Sequence, residues 1–187
     1  MRCSWADGDE MRDYHDQEWG VPLHDEAKLF ELLTLEGAQA GLSWLTILRR
    51  RPGYVKAFKR FNPKVVAAFT NADVDRLLEN TDIIRHRGKI ESTINNAGAV
   101  LELRRSGTSL DDLLWSFVDH SPLQRDWSVD AQVPSSTREA ALMSKALKKR
   151  GFRFVGPTTC YSLMQAAGLV NDHHPACFRY DEVRVLH

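Results

Sequence analysis

Short helical patterns, each closed by glycine or proline, recur along nearly the whole chain, and strand-type alternation is almost absent. That punctuation is the strongest constraint on the fold. Asp25 is placed to cap a helix running to about Gln39. A second helix is predicted to start after Ser43 and reach Arg51, where Pro52-Gly53 stops it. Pro63 suits the first turn of a helix through Phe69, and Asn71 is a good N-cap for a helix over Asp73 to Glu79. Residues 89–105 are helical up to Gly107, and Ser109 caps a helix from Leu110 to Val118. Ser136-Thr137-Arg138-Glu139 reads as a capping box whose helix runs to Arg150, and Pro157 opens a last long helix that Gly168 closes. The stretch from His120 to Ser135 has little periodicity and reads as a loop. The chain therefore reads as all-α, with roughly eight to ten short helices.

At 187 residues the chain can build one substantial core or two small lobes sharing one. No apolar run approaches the length of a bilayer span, and Met1 to Asp7 contain no apolar signal core. A cytoplasmic protein is the default expectation. The formal net charge is zero, so bulk electrostatics do not suggest nucleic acid. Basic clusters at Arg49 to Arg51, Arg85 to Lys89 and Lys145 to Arg153 leave room for a one-sided basic face. Three cysteines argue against a disulfide framework, and Cys160 reads as a core thiol.

Within the helical series, residues 36–44 stand apart. Glu36 lies seven residues after Leu29, four after Leu32 and three after Leu33, so helical periodicity puts its carboxyl on the core-facing stripe. A buried, unpaired carboxylate costs several kcal/mol. The helix then breaks at Gly41, exposes Leu42, and restarts through Ser43 into Trp44. On local pattern the segment fits either a pocket floor with a wedge or an ordinary helix–turn–helix with one acid at the edge of its stripe.

Two further constellations carry possible chemistry. Asn80 to Lys89 joins two helices, with Ile83 and Ile84 as core anchors and a polar, basic tip. Helix N-termini bind phosphate through free backbone N–H groups, so this turn is a candidate DNA-backbone grip, with a charged interhelical turn as the alternative. Cys3 and His15 near one end, with His173 and Cys177 near the other, make a complete Cys2His2 set if the ends meet. Such a set leaves no open position, so its zinc would be structural. His174 is a possible competitor for His173. Trp5, Tyr14, Trp19, Trp44 and Tyr161 supply aromatic surface that is usually core.

Taken in order, these blocks resemble the bacterial DNA-3-methyladenine glycosylase I family. The matching stretches are Cys3 to Trp5, Tyr14 to Asp16, Glu18 to Pro22, Leu35 to Trp44, Ile83 to Ile90, Leu114 to Val118, Ser144 to Gly151, Phe154 to Gly156 and Gly168 to His173. Each is weak alone, but the ordered set spans the chain. The resemblance implies a helix-hairpin-helix DNA glycosylase fold over residues 1–187, with two helical lobes, a cleft between them and the hairpin at about 72–105. It implies a structural Zn2+ at Cys3, His15, His173 and Cys177. It implies a base pocket of Glu36, Tyr14, Trp44 and Trp5, with Glu36 the catalytic candidate. Gly41-Leu42 is the implied DNA wedge, and Arg85, His86, Arg87, Gly88 and Lys89 the implied backbone grip. The expected partner is double-stranded DNA with alkylated bases, bound by a monomer with no membrane association. The implied reaction is hydrolytic release of 3-methyladenine without a strand-cleaving step.

The chain departs from the family at Ala38, where a close relative has glutamine, and in the Phe178-Arg179-Tyr180 tail; residues 121–135 match least. The aspartate that the wider superfamily places after the hairpin has no counterpart before Asp111. Two other readings stay open: a glycosylase/lyase using Lys89 as a Schiff base, and a DNA-damage binder without catalysis.

Overall fold

The computed structural model describes residues 1–125 and 133–186. Ten α-helices account for most of it: α1 (Asp9–Gln17), α2 (Glu26–Gln39), α3 (Trp44–Ala57), α4 (Pro63–Ala67), α5 (Asn71–Leu78), α6 (Arg87–Arg105), α7 (Leu110–Trp115), α8 (Arg138–Lys149), α9 (Pro157–Ala166) and α10 (Phe178–Arg184). The all-α expectation holds, with one local addition. Leu123–Gln124 (β1) and Val170–Asn171 (β2) form a two-residue parallel ladder. Within the segment read as a loop, residues 126–132 lie outside the described part of the chain.

The central element is α2. Its N-cap is Asp25, whose side chain accepts from the Lys28 N–H. From Leu32 onward it is buried on every side, through Glu36, Gly37 and Ala38. Such a helix must be enclosed by others. It packs against α3, α6, α7 and α9, while α4 and α5 sit on α6 and α8 sits on α9. One buried cluster therefore runs from Cys3 to Cys177, with Trp115, Phe30, Phe58 and Tyr161 among its largest members.

Several local readings need correction. The helix after Ser43 does not stop at Pro52-Gly53 but continues to Ala57. Gly53 is needed for close approach: a Cβ there would lie 2.3 Å from the Asp82 carbonyl oxygen. Tertiary packing thus overrides the breaker signal. Gly53→Ala is expected to cost about 1–3 kcal/mol, read as a lower midpoint in chemical denaturation. Thr70, not Asn71, caps α5 in a capping box with Asp73, and Thr137, not Ser136, caps α8. Both misreadings are one residue out, where two good cappers stand side by side. The helix from Leu110 ends at Trp115 and finishes as a 3-10 turn over Ser116–Val118. Helices α1 and α10 were not anticipated.

Candidate active site and metal centre

Helix α2 delivers Glu36 into a cleft of about 650 Å³, lined by Trp5, Tyr14, Trp19, Trp44, Gln165 and Asp172 among others. Glu36 is 5 % exposed, and its carboxyl makes no hydrogen bond or ion pair with any described residue. Burial alone pushes its pKa up to about 8. A carboxyl with no partner stays protonated in such a site until a positive charge arrives. Tyr14, also buried, has its hydroxyl pushed well above the ordinary range by burial and then by the Glu36 charge. It stays neutral beside the acid.

The aromatic residues form the walls. Tyr14 and Trp44 lie with ring centroids 5.4 Å apart, Tyr14 and Trp5 6.3 Å apart, and Trp5 stands edge-on to Trp19 at 4.9 Å. Trp5 remains 36 % exposed at the mouth. All four pocket residues expected from the sequence line this one cleft. Trp19, Gln165 and Asp172 also line it and were not foreseen as site residues. Asp172 accepts from the Tyr161 hydroxyl at 2.5 Å and from Gln165 Nε2 at 2.9 Å. Trp19 belongs to the Glu18 to Pro22 block and to the aromatic inventory, which was the available signal. Asp111 bonds His24 at 3.0 Å instead and does not line the cleft.

Beside the cleft, the chain ends meet. Cys3, His15, His173 and Cys177 are all buried, with their ligating atoms within 4.8 Å of one another. Cys177 Sγ is 3.4 Å from His15 Nε2 and 3.7 Å from His173 Nδ1, and Cys3 Sγ is 3.7 Å from the same Nδ1. Ligands around a tetrahedral ion bonded at ordinary Zn–S and Zn–N lengths stand roughly 3.3–3.8 Å apart. The outer partners also fit. His15 Nδ1 pairs with Asp16 at 2.8 Å, and Arg2 holds Asp16 in turn; His173 Nε2 is 3.0 Å from the Trp19 carbonyl oxygen. Each imidazole is thereby oriented with its other nitrogen toward the cluster, as second-shell bonds do at metal sites. Burial holds the His173 pKa down near 4, which keeps the ring neutral, and pushes the Cys3 thiol up to about 12, so its thiolate needs a cation. His174 does not compete: its Nδ1 accepts from the Ala176 N–H at 3.0 Å. These four residues can hold a metal ion.

At the tip after α2, Gly41 adopts φ +81, a conformation that favours glycine, and Leu42 is 40 % exposed. Ser43 caps α3 by accepting from the Thr46 N–H. The expected exposed apolar tip is thus present.

The turn between α5 and α6 is anchored by Ile83, which is buried, and by the Ile84 N–H donating to the Tyr54 hydroxyl at 3.3 Å. Arg85 is exposed and has no ion pair among the described residues. His86 caps α6 by accepting from the Lys89 N–H. Arg87 pairs with Asp75 at 2.6 Å and with Glu91 at 3.5 Å. Lys89 points elsewhere, donating to the Ala38 and Ala40 carbonyls at 2.8 Å each. The Arg49 to Arg51 cluster is similarly engaged. Arg49 pairs with Glu10, Arg51 with Glu18 and Glu31, and Arg50 donates to the Thr81 carbonyl. The third basic cluster keeps Lys145, Lys148 and Lys149 exposed. Asn95 and Asn96 on α6 bond the Gly151 and Arg153 carbonyls, which fastens the turn after α8 to α6.

The same arrangement of chain occurs in known proteins. A methyladenine glycosylase family profile matches residues 5–180. The Escherichia coli protein DNA-3-methyladenine glycosylase 1 is 51% identical over 180 residues, covering 96% of each chain. A Haemophilus influenzae DNA-3-methyladenine glycosylase is 48% identical, covering 94% of this chain and 96% of its own. A crystal structure of a 3-methyladenine DNA glycosylase I superposes with a TM-score of 0.93 at 52% identity, over 95% of this chain and 98% of that one. The Staphylococcus aureus enzyme, solved for its recognition of 3-methyladenine, superposes with a TM-score of 0.91 at 39% identity, over 95% of each chain. By sequence over almost its full length and by fold, this chain belongs to the methyladenine glycosylase family.

Proposed function

We propose that this protein is a monofunctional base-excision repair glycosylase that flips 3-methyladenine out of alkylated duplex DNA and releases it by hydrolysis. The observation that carries the reading is Glu36: a buried acid without a partner among the described residues, facing a cleft walled by Tyr14, Trp44, Trp5 and Trp19. Methylation at N3 makes the adenine cationic while it is still bonded to the sugar. Glu36 is the anionic partner for that charge, losing its proton as the lesion enters. Trp44 offers its face to the cationic ring. Normal adenine is neutral and gives Glu36 no reason to ionise, so discrimination follows from charge as well as shape.

Extrusion costs a few kcal/mol of unstacking. Leu42 fills the vacated place in the stack, as apolar wedges do at kinked steps. Helices α5 and α6, with the turn over residues 79–86 between them, act as a helix-hairpin-helix. Arg85, His86 and the free N–H groups at Arg87 and Gly88 serve as its phosphate grip. The exposed lysines of α8 extend the basic face. Once the glycosidic bond stretches, the base departs neutral, so no proton has to be delivered to it. Water then adds to the sugar carbon of an oxocarbenium-like state. The two charged forms, lesion cation and Glu36 carboxylate, are brought together in a dry pocket where their attraction is strongest.

Cys3, His15, His173 and Cys177 fit a structural zinc that joins the chain ends and supplies folding energy when bound. The set contributes four protein ligands and no open position. Trp5 and Tyr14 are sequence neighbours of Cys3 and His15, so the same staple fixes two pocket walls. A lyase step is disfavoured because the Lys89 ammonium is already held by two carbonyls.

The test is to incubate the protein with methylated duplex DNA and identify the released base by chromatography. Free 3-methyladenine is the expected product, with no unmodified adenine and no borohydride-trapped protein–DNA adduct. Lesion binding without base release would instead leave a damage-binding protein on this fold.

A further inference from the structure

Lys89 sits in the first turn of α6, where a cation opposes the positive end of its own helix. Its side chain crosses to the end of α2 and donates 2.8 Å hydrogen bonds to the carbonyls of Ala38 and Ala40. Those carbonyls belong to the C-terminal end of α2, where acceptors lack intrahelical partners and a positive charge is favoured. Burial lowers the Lys89 pKa, yet two direct acceptors keep the ammonium engaged. The junction is closed on another side by Phe154, held at φ +55 with its Cβ against Gly37, and its ring 6.5 Å from His86. A non-glycine residue at positive φ persists only where its surroundings over-determine it. Immediately beyond Ala40 come Gly41 and Leu42, and Ser43 then fixes the start of α3.

We propose that Lys89 is a positioning residue that mounts the Gly41-Leu42 wedge on the hairpin helix, so that wedge and phosphate grip meet DNA as one rigid edge. The inference rests on the glycosylase reading above for the wedge's purpose. It replaces the expectation that Lys89 itself grips the backbone. A phosphate-gripping lysine would aim its ammonium at solvent, whereas two of this one's three donors are already used inside the protein.

The experiment uses the full chain and a duplex carrying a stable abasic-site analogue with 2-aminopurine beside it. The fluorescence reports local unstacking and needs no base release, so it stays informative even if the glycosylase reading fails. The parent protein is expected to change the signal strongly, and Leu42→Ala to lose that change. Lys89→Met is expected to weaken the response about tenfold or more, because small misplacements of a positioned group are costly. Lys89→Gln, which can still donate to one carbonyl, restores part of it. In the Leu42→Ala background Lys89→Met should have no further effect. The slope of log K against log[salt] stays at the parent value in both lysine variants. A slope reduced by about 0.9, the signature of one lost phosphate contact, would overturn the proposal. So would a Lys89→Met defect undiminished in the Leu42→Ala background, or a parent protein that leaves the signal unchanged.

Discussion

Glu36→Gln is expected to lower excision of 3-methyladenine by roughly a hundredfold, the scale seen when one preorganised electrostatic group is removed from a reacting site. The amide keeps the shape and loses the charge, so the loss reads out the carboxylate itself. The same substitution is expected to stabilise the protein. The Glu36 pKa is about 8 in the folded chain against an ordinary 4.5. A carboxyl raised on folding contributes stability that is complete below about pH 4.5. That contribution is lost as pH climbs through about 8. Glutamine does not ionise and escapes the loss. The stability gap between variant and parent should therefore open between those two pH values and level off above them. The unfavourable ionisation in the parent is on the order of 5 kcal/mol. Thermal melts of both proteins from pH 5 to pH 9 check this. A variant that is less active and more stable marks an acid kept for function at a cost to the fold. A variant that is equally active, or one whose stability gap ignores pH, would remove Glu36 from the account.

Breaking the proposed metal site is expected to have the largest effect on stability. Cys177→Ser, or extraction with a strong chelator, removes a linkage between the two ends of the chain. If a structural zinc contributes even ~5 kcal/mol here, well below the apparent binding energies of zinc-finger peptides, the melting temperature falls by roughly 10–20 °C for a chain of this size. Excision should fall with it, since Trp5 and Tyr14 are set by the same residues. His174→Ala is the control. That side chain is not among the four clustered donors and accepts from the Ala176 N–H, so the variant should keep one zinc per chain by elemental analysis and melt near the parent.

The legible and illegible parts of this molecule differ in a physical way. Asp25, Gln39, Gly41 and Ser43 act within a turn or two of themselves, and the ends of α2 and the exposed Gly41-Leu42 tip follow from them. Glu36 was visible because helical periodicity is local, and its burial followed. The four residues that can hold a metal ion were recognisable as a donor set, although only the fold brings residues 3 and 177 together. Helix α1 escaped notice because its only buried residues are Tyr14 and His15, adjacent in sequence and committed to the pocket and the cluster. Helix α10 buries Val183 alone, which leaves no stripe to detect. Pro52-Gly53 misled because the glycine answers to Asp82 in the turn between α5 and α6 rather than to its own helix. Lys89 reads as a phosphate ligand because it is a basic residue in a basic turn, and its bonds to carbonyls about fifty positions away lie beyond any local pattern.

The central claim is that a neutral buried acid becomes a carboxylate against a cationic base. It is tested most directly by carbon-13 NMR of the Glu36 side-chain carboxyl, assigned by its absence in Glu36→Gln. In the free protein the resonance should titrate with a midpoint near 8 and read as protonated at neutral pH. On binding a duplex whose 3-methyladenine nucleotide is protected from cleavage by a 2′-fluorine, it should shift to the carboxylate position at the same pH. A midpoint near 4.5 in the free protein, or a carboxyl that stays protonated with the lesion bound, would contradict the account.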